Sequence, residues 1–81
     1  MGKKDSTRDD EIIANYLRDL RMTRHISQQE LAESLGEPQS FVSKYENAQR
    51  KITAATFLRI VVALGVTPAA AAQAVSRKLG I

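Results

Sequence analysis

Residues 26–47 read ISQQELAESLGEPQSFVSKYEN, and the folding of this stretch decides the architecture of the chain. Ser27 is followed three residues later by Glu30. That is a capping box, in which each side chain satisfies a backbone donor left unpaired at a helix start. Leu31, Ala32 and Leu35 then fall on one helical face. Gly36 stands where a helix end calls for positive φ. Pro38 suits the first turn of a following helix, where its missing N–H has no partner to lose. That second helix, Gln39 to about Asn47, buries Tyr45 and either Phe41 or Val42. It leaves Gln39, Ser40, Ser43 and Lys44 outside.

A connection of about three or four residues forces the two helices to cross at roughly 90–120°. So close a crossing needs a small residue at the contact, and Ala32 fits. The result is a helix-turn-helix pattern whose second helix is shaped to enter a DNA major groove.

Working outward, helix one is predicted from Thr7 to Arg24, with Ile13, Tyr16, Leu17 and Leu20 as its inward stripe. Its N-cap is Thr7 or Ser6, and Asp9, Asp10 and Glu11 in its first turn complement the helix dipole. Arg18, Arg21 and Arg24 share a face. Helix four is predicted from Ala54 to Leu64, capped by Thr53, with Phe57, Leu58, Val61 and Leu64 turned inward, and Gly65 ends it. Thr67-Pro68 starts a fifth helix that ends at Gly80. The expected fold is all-α: a compact five-helix domain over residues 7–81, with the helix-turn-helix at helices two and three, behind a flexible N-terminus of residues 1–6.

Eighty-one residues make one domain, and a chain this short has a marginal core. There is no cysteine, hence no disulfide framework and no thiolate metal site. No run of 18 apolar residues and no apolar leader is present, so a soluble cytoplasmic protein is expected. The net charge of +3 permits nucleic-acid binding without proving it. Placement says more: Lys44, Arg50 and Lys51 cluster after the second helix of the motif, opposed only by Glu46. His25, the single histidine, reads as a helix-end residue complementing the dipole rather than a metal ligand. No nucleophile–base pair and no glycine-rich phosphate loop is present, so neither enzyme nor cofactor is expected.

Leu20-Arg21, Ser27 to Ala32, Leu35-Gly36, Pro38 to Asn47, Phe57-Leu58 and Ala63 to Val66 together resemble the Cro/repressor-type (XRE-like) helix-turn-helix domain of phage and bacterial regulators. The resemblance covers about residues 12–68. It departs at His25 and Ala48, where the family often has glycine. Both positions lie in loops, and Asn47 and His25 are the residues expected to tolerate left-handed φ there.

The resemblance implies that Gln39, Ser40, Ser43 and Lys44 face base edges. The chemistry suits this: glutamine bonds adenine bidentately, lysine reaches guanine O6 or N7, and serine serves either. Phe41 is either core or a contact to a thymine methyl. Ser27, Gln28 and Gln29 begin helix two, whose free N–H groups suit a phosphate. Asn47, Arg50 and Lys51, where the chain leaves helix three, are the further phosphate candidates. Arg18, Lys3, Lys4 and Arg8 are weaker ones, since Asp5, Asp9 and Asp10 interrupt their charge. The resemblance also implies a partly buried ion pair between Arg21 and Glu46, which makes Arg21→Ala costly and Arg24→Ala not.

One recognition helix reads few base pairs, and proteins of this type double the site by dimerising, with half-sites about 34 Å apart. The surface assigned to a homodimer is Val75, Leu79 and Ile81 on helix five and its tail. The expected function is a sequence-specific double-stranded DNA-binding transcriptional regulator, a small dimeric repressor or autoregulator on a two-fold related operator. Three kinds remain open: phage-type repressor, restriction–modification controller, and antitoxin, the last with a toxin as protein partner. The alternative is a protein-interaction module on the same helices. Polar and basic groups on helix three and the lack of an exposed apolar patch favour DNA.

Overall fold

The computed structural model describes residues 7–81. The expectations about residues 1–6, namely flexibility, Ser6 as a cap, and Lys3 and Lys4 as a basic arm, lie outside the described residues. Five helices follow in order: α1 Arg8–Thr23, α2 Gln28–Leu35, α3 Gln39–Glu46, α4 Ala54–Ala63 and α5 Pro68–Leu79.

The helix starts are written locally. Thr7 accepts from the Asp10 N–H at 3.2 Å while the Asp10 carboxylate accepts from the Thr7 N–H at 2.9 Å. Ser27 and Glu30 do the same for α2 at 3.0 and 2.8 Å. Thr53 and Thr67 cap α4 and α5 through the Thr56 and Ala70 N–H groups. Pro38 differs from expectation. It stands at the N-cap of α3 in extended conformation (φ −72°, ψ 156°), one residue before the first turn, and provides no side-chain cap.

The core gathers one face of each helix: Leu17 from α1, Leu31 and Ala32 from α2, Val42 and Tyr45 from α3, Ile60 and Val61 from α4, and Ala71 from α5, with Leu64. Val42, not Phe41, takes the buried place on α3. Phe41 is half-buried, its ring edge-on to Tyr45 with centroids 5.7 Å apart. On α4 the inward face is Phe57, Ile60, Val61 and Leu64. Leu58, expected inside, is 44% exposed, and with Val62 at 59% it forms an apolar surface patch where none was expected. The segment FLRIVVAL is apolar nearly all round, so spacing alone could not choose its buried face.

The loops resolve the two departures from glycine. His25 (φ 57°) and Ala48 (φ 58°) both adopt left-handed conformation. Asn47, expected to take that role, has φ −95°. No helix among the described residues is long and apolar enough to cross a membrane.

Candidate nucleic-acid interface

Two oppositely charged side chains anchor the site from within. Arg21 on α1 donates from Nε to Glu46 Oε2 at 2.7 Å and from Nη2 to Oε1 at 3.0 Å, a bidentate pair. Its third nitrogen donates to the Ile26 carbonyl at 2.7 Å. The Glu46 side chain is 2% exposed and that of Arg21 12%. Hydrogen bonding to Glu46 raises the Arg21 pKa, against the opposing effect of burial. The pair therefore ties α1, the loop before α2, and the end of α3 into one unit.

The network runs on to the surface. Gln28 Nε2 donates to Glu46 Oε1 at 3.0 Å, and Gln28 Oε1 accepts from Gln39 Nε2 at 3.3 Å. The first residue of α2 thus holds the first residue of α3. Spacing gives no signal of this link: the partners lie 18 and 11 residues apart.

Gln39, Ser40 and Lys44 are exposed on α3 and Ser43 is half-exposed. Positions 40, 43 and 44 share a face by helical periodicity, with 39 beside it. Ser27 and Gln29 are exposed at the start of α2, whereas Gln28 is half-buried with its amide engaged as described. Asn47, Arg50 and Lys51 are exposed beyond α3. The Arg50 guanidinium lies 4.8 Å from the centroid of the Phe41 ring, and Lys51 Nζ is 3.7 Å from Asp10 Oδ2. The bond to the Thr7 backbone, and then the nearby Lys51, hold the Asp10 carboxyl below its usual value. Of these cations, Arg50 is stacked and Lys51 paired, while Lys44 has no ion-pair partner among the described residues. Arg24, whose loss was expected to cost little, donates from Nε to the Leu64 carbonyl and joins the end of α1 to the end of α4.

The candidate dimer residues are less available than their spacing suggests. Val75 is 8% exposed, packed within its own chain. Leu79 is half-buried and Ile81 is 86% exposed. Together with Ile13, Ile52 and Phe57 these three line a groove of about 400 Å³. Val75 is covered because α5 packs on α1 and α4. Among the described residues, no group of three or more His, Asp or Glu side chains stands close enough to hold a metal ion.

A short capped helix, a left-handed glycine turn (Gly36, φ 70°) and a second helix with a polar outer face define the helix-turn-helix class, the DNA-binding module of many transcription regulators. The chain belongs to the helix-turn-helix family of Cro/repressor (XRE-like) type, whose profile matches residues 17–70. An XRE-family-like protein from Pseudomonas syringae pv. tomato str. DC3000 is 34% identical, with a TM-score of 0.80 over 86% of this chain and 85% of that one. The restriction-modification controller protein C.AhdI from Aeromonas hydrophila is 29% identical, with a TM-score of 0.74 over 80% of this chain and 98% of that one. The controller C.Esp1396I, solved as a tetramer in complex with its natural 35 base-pair operator, shares the fold at 14% identity, with a TM-score of 0.83 over 94% and 100% of the two chains. No protein of curated function matches in sequence.

Proposed function

We propose that this protein is a sequence-specific reader of double-stranded DNA, a small dimeric repressor or autoregulator that binds a two-fold related operator. Gln39, Ser40, Ser43 and Lys44 read base edges in the major groove. Ser27, Gln28 and Gln29 at the start of α2, and Asn47, Arg50 and Lys51 beyond α3, hold phosphates and set the register of the reading helix. The observation that carries this reading is the chain of bonds from Arg21 through Glu46 and Gln28 to Gln39. It holds an exposed amide at the tip of α3 from a rigid, partly buried base, and an oriented amide discriminates bases where a free one does not. Engagement of Gln28 in that chain leaves its backbone N–H, not its side chain, for phosphate. Lys51 reaches a phosphate by exchanging one anion, the Asp10 carboxylate, for another.

Among the three kinds of regulator, the likeness to C.AhdI supports a controller-type autoregulator. The experiment is selection from a random duplex library by fluorescence anisotropy, at two salt concentrations. Enrichment of a two-fold related site, lost on Gln39→Ala or Lys44→Ala, is the expected result. Weak, steeply salt-dependent binding with no enriched site would mean phosphate attraction alone.

A further inference from the structure

We propose that a second copy of this chain docks on the outer face of α4, with Leu58 and Val62 at the centre of the contact, rather than on α5. This rests on the dimeric reading above and names its surface.

The packing of α4 requires a partner on two sides. Its sequence, AATFLRIVVA, carries one charged residue, Arg59. A helix so uniformly apolar belongs in an interior, yet this chain covers only the face of Ile60, Val61 and Phe57. On the other face Leu58 is 44% and Val62 59% exposed. They stand four residues apart, one turn, and so form one patch. With Ser34, Leu35, Arg59 and Ala63 they line a shallow groove of about 500 Å³. The stripe on α5 is partly used within the chain: Ala71 is fully buried and Val75 nearly so, which leaves Leu79 half-buried and Ile81 exposed at its end.

Two features make a second copy the occupant. The groove is complementary to itself in charge. Arg59 lies on it, and Glu33 and Glu37 flank the Ser34-Leu35 turn that forms its far wall; all three are exposed. Among the described residues, none of the three is in an ion pair within its own chain. A two-fold contact lays Arg59 of each copy toward the acidic turn of the other, since each copy presents the same patch. The groove also borders the reading unit. Its α2 wall is the last turn before the connection into α3, so a contact here lies next to the reading helix, and on this proposal the two α3 helices serve paired half-sites about 34 Å apart. The described body measures 37 × 27 × 21 Å, a size that suits that spacing.

The chain lacks cysteine, so single introduced cysteines report proximity without background. Under mild oxidation of the full chain, Val62→Cys is expected to give a disulfide-linked dimer, and Ile81→Cys is not. In sedimentation equilibrium, Val62→Glu is expected to weaken dimerisation by more than about tenfold, the consequence of removing one buried aliphatic side chain. Ile81→Glu leaves it unchanged. Arg59→Glu weakens the dimer, and combining it with Glu37→Lys restores it. Circular dichroism on each variant confirms that the fold is intact. A dimer that survives Val62→Glu and cross-links through Ile81→Cys overturns this surface while leaving the dimeric regulator standing. A wild-type chain that is monomeric at tens of micromolar, or whose α4 face binds only an unrelated protein, overturns the second copy as occupant. Loss of operator selection with the dimer intact would instead fall on the DNA reading, not on this surface.

Discussion

The guanidinium of Arg50 sits 4.8 Å from the centre of the Phe41 ring, and that ring is edge-on to Tyr45. A cation in the loop beyond α3 is thereby fixed to an aromatic on the helix itself. Phe41 is a platform, neither wholly core nor free to range over the groove. Arg50→Ala is expected to lower the slope of log affinity against log salt by about 0.9, one phosphate contact. Phe41→Leu should weaken binding roughly twofold to fivefold, the worth of an exposed cation–π contact. In the Arg50→Ala background the same change should do nothing more. Titrations of the four proteins at several salt concentrations measure this, and additive losses would show that Phe41 acts independently of Arg50.

The Arg21–Glu46 pair is nearly closed to solvent, so its loss leaves a carboxylate with only Gln28 for a partner. Arg21→Ala is expected to cost about 3 kcal/mol, the lower end of the range for broken buried pairs, because Gln28 still donates. Arg24→Ala loses a single part-buried bond to the neutral Leu64 carbonyl, strands no buried charge, and costs clearly less. Urea denaturation of both variants decides, and equal losses would show that the buried pair has no special weight.

On the DNA side, substitutions should divide by role. Gln39→Ala is expected to cost about 1–3 kcal/mol on the best site and to relax preference at one base pair per half-site. Asn47→Ala should weaken all sequences alike. Competition binding with single-base variants of the selected site separates the two. Gln28→Ala should resemble Gln39→Ala more than Asn47→Ala, because it frees the Gln39 amide to turn.

Ala48 holds φ 58° with a Cβ that this conformation disfavours. Ala48→Gly is expected to stabilise the domain by about 1 kcal/mol, the usual cost of left-handed backbone for a non-glycine residue. A rise in thermal midpoint of about 4–8 °C would register it.

Tyr45 is buried, its hydroxyl has no hydrogen-bond partner among the described residues, and burial raises its pKa, with Glu46 adding to the rise and Arg21 opposing it. A raised pKa in the folded state means the contribution of the neutral phenol is fully present below the unfolded value of about 10 and is lost as pH climbs past it. Unfolding should therefore become easier above about pH 10. Tyr45→Phe should remove that alkaline loss and change stability at neutral pH by less than about 1 kcal/mol, since no bond within the protein is broken. Midpoints measured from pH 7 upward test both statements.

Much of this protein is legible in single turns of sequence. Ser27 and Glu30, Gly36, Thr53 and Thr67-Pro68 mark helix ends because caps and left-handed turns act between residues two to five apart. Those interactions need only neighbouring residues, so their signal can be read in sequence, although helices this short persist only once packed. The helix-turn-helix, the polar outer face of α3 and the family follow from them, and the Arg21–Glu46 pair follows from the family resemblance.

Contacts across the fold are of another kind. The hand-over from Glu46 through Gln28 to Gln39, the seat of Arg50 on Phe41 and the pairing of Lys51 with Asp10 join helices or loops distant in sequence, and no periodicity encodes them. On α4, α2 and α5 enclosed the face of Phe57, Ile60 and Val61 and left out Leu58, which its spacing had placed inside. On α5 the reverse occurred: Val75, which its spacing offered to a partner, was taken by its own chain. Local hydrogen bonding marked where four of the five helices begin; only the packing of five helices around a small core decided which side chains remained free to meet DNA or another copy, because burial depends on which faces the whole chain encloses.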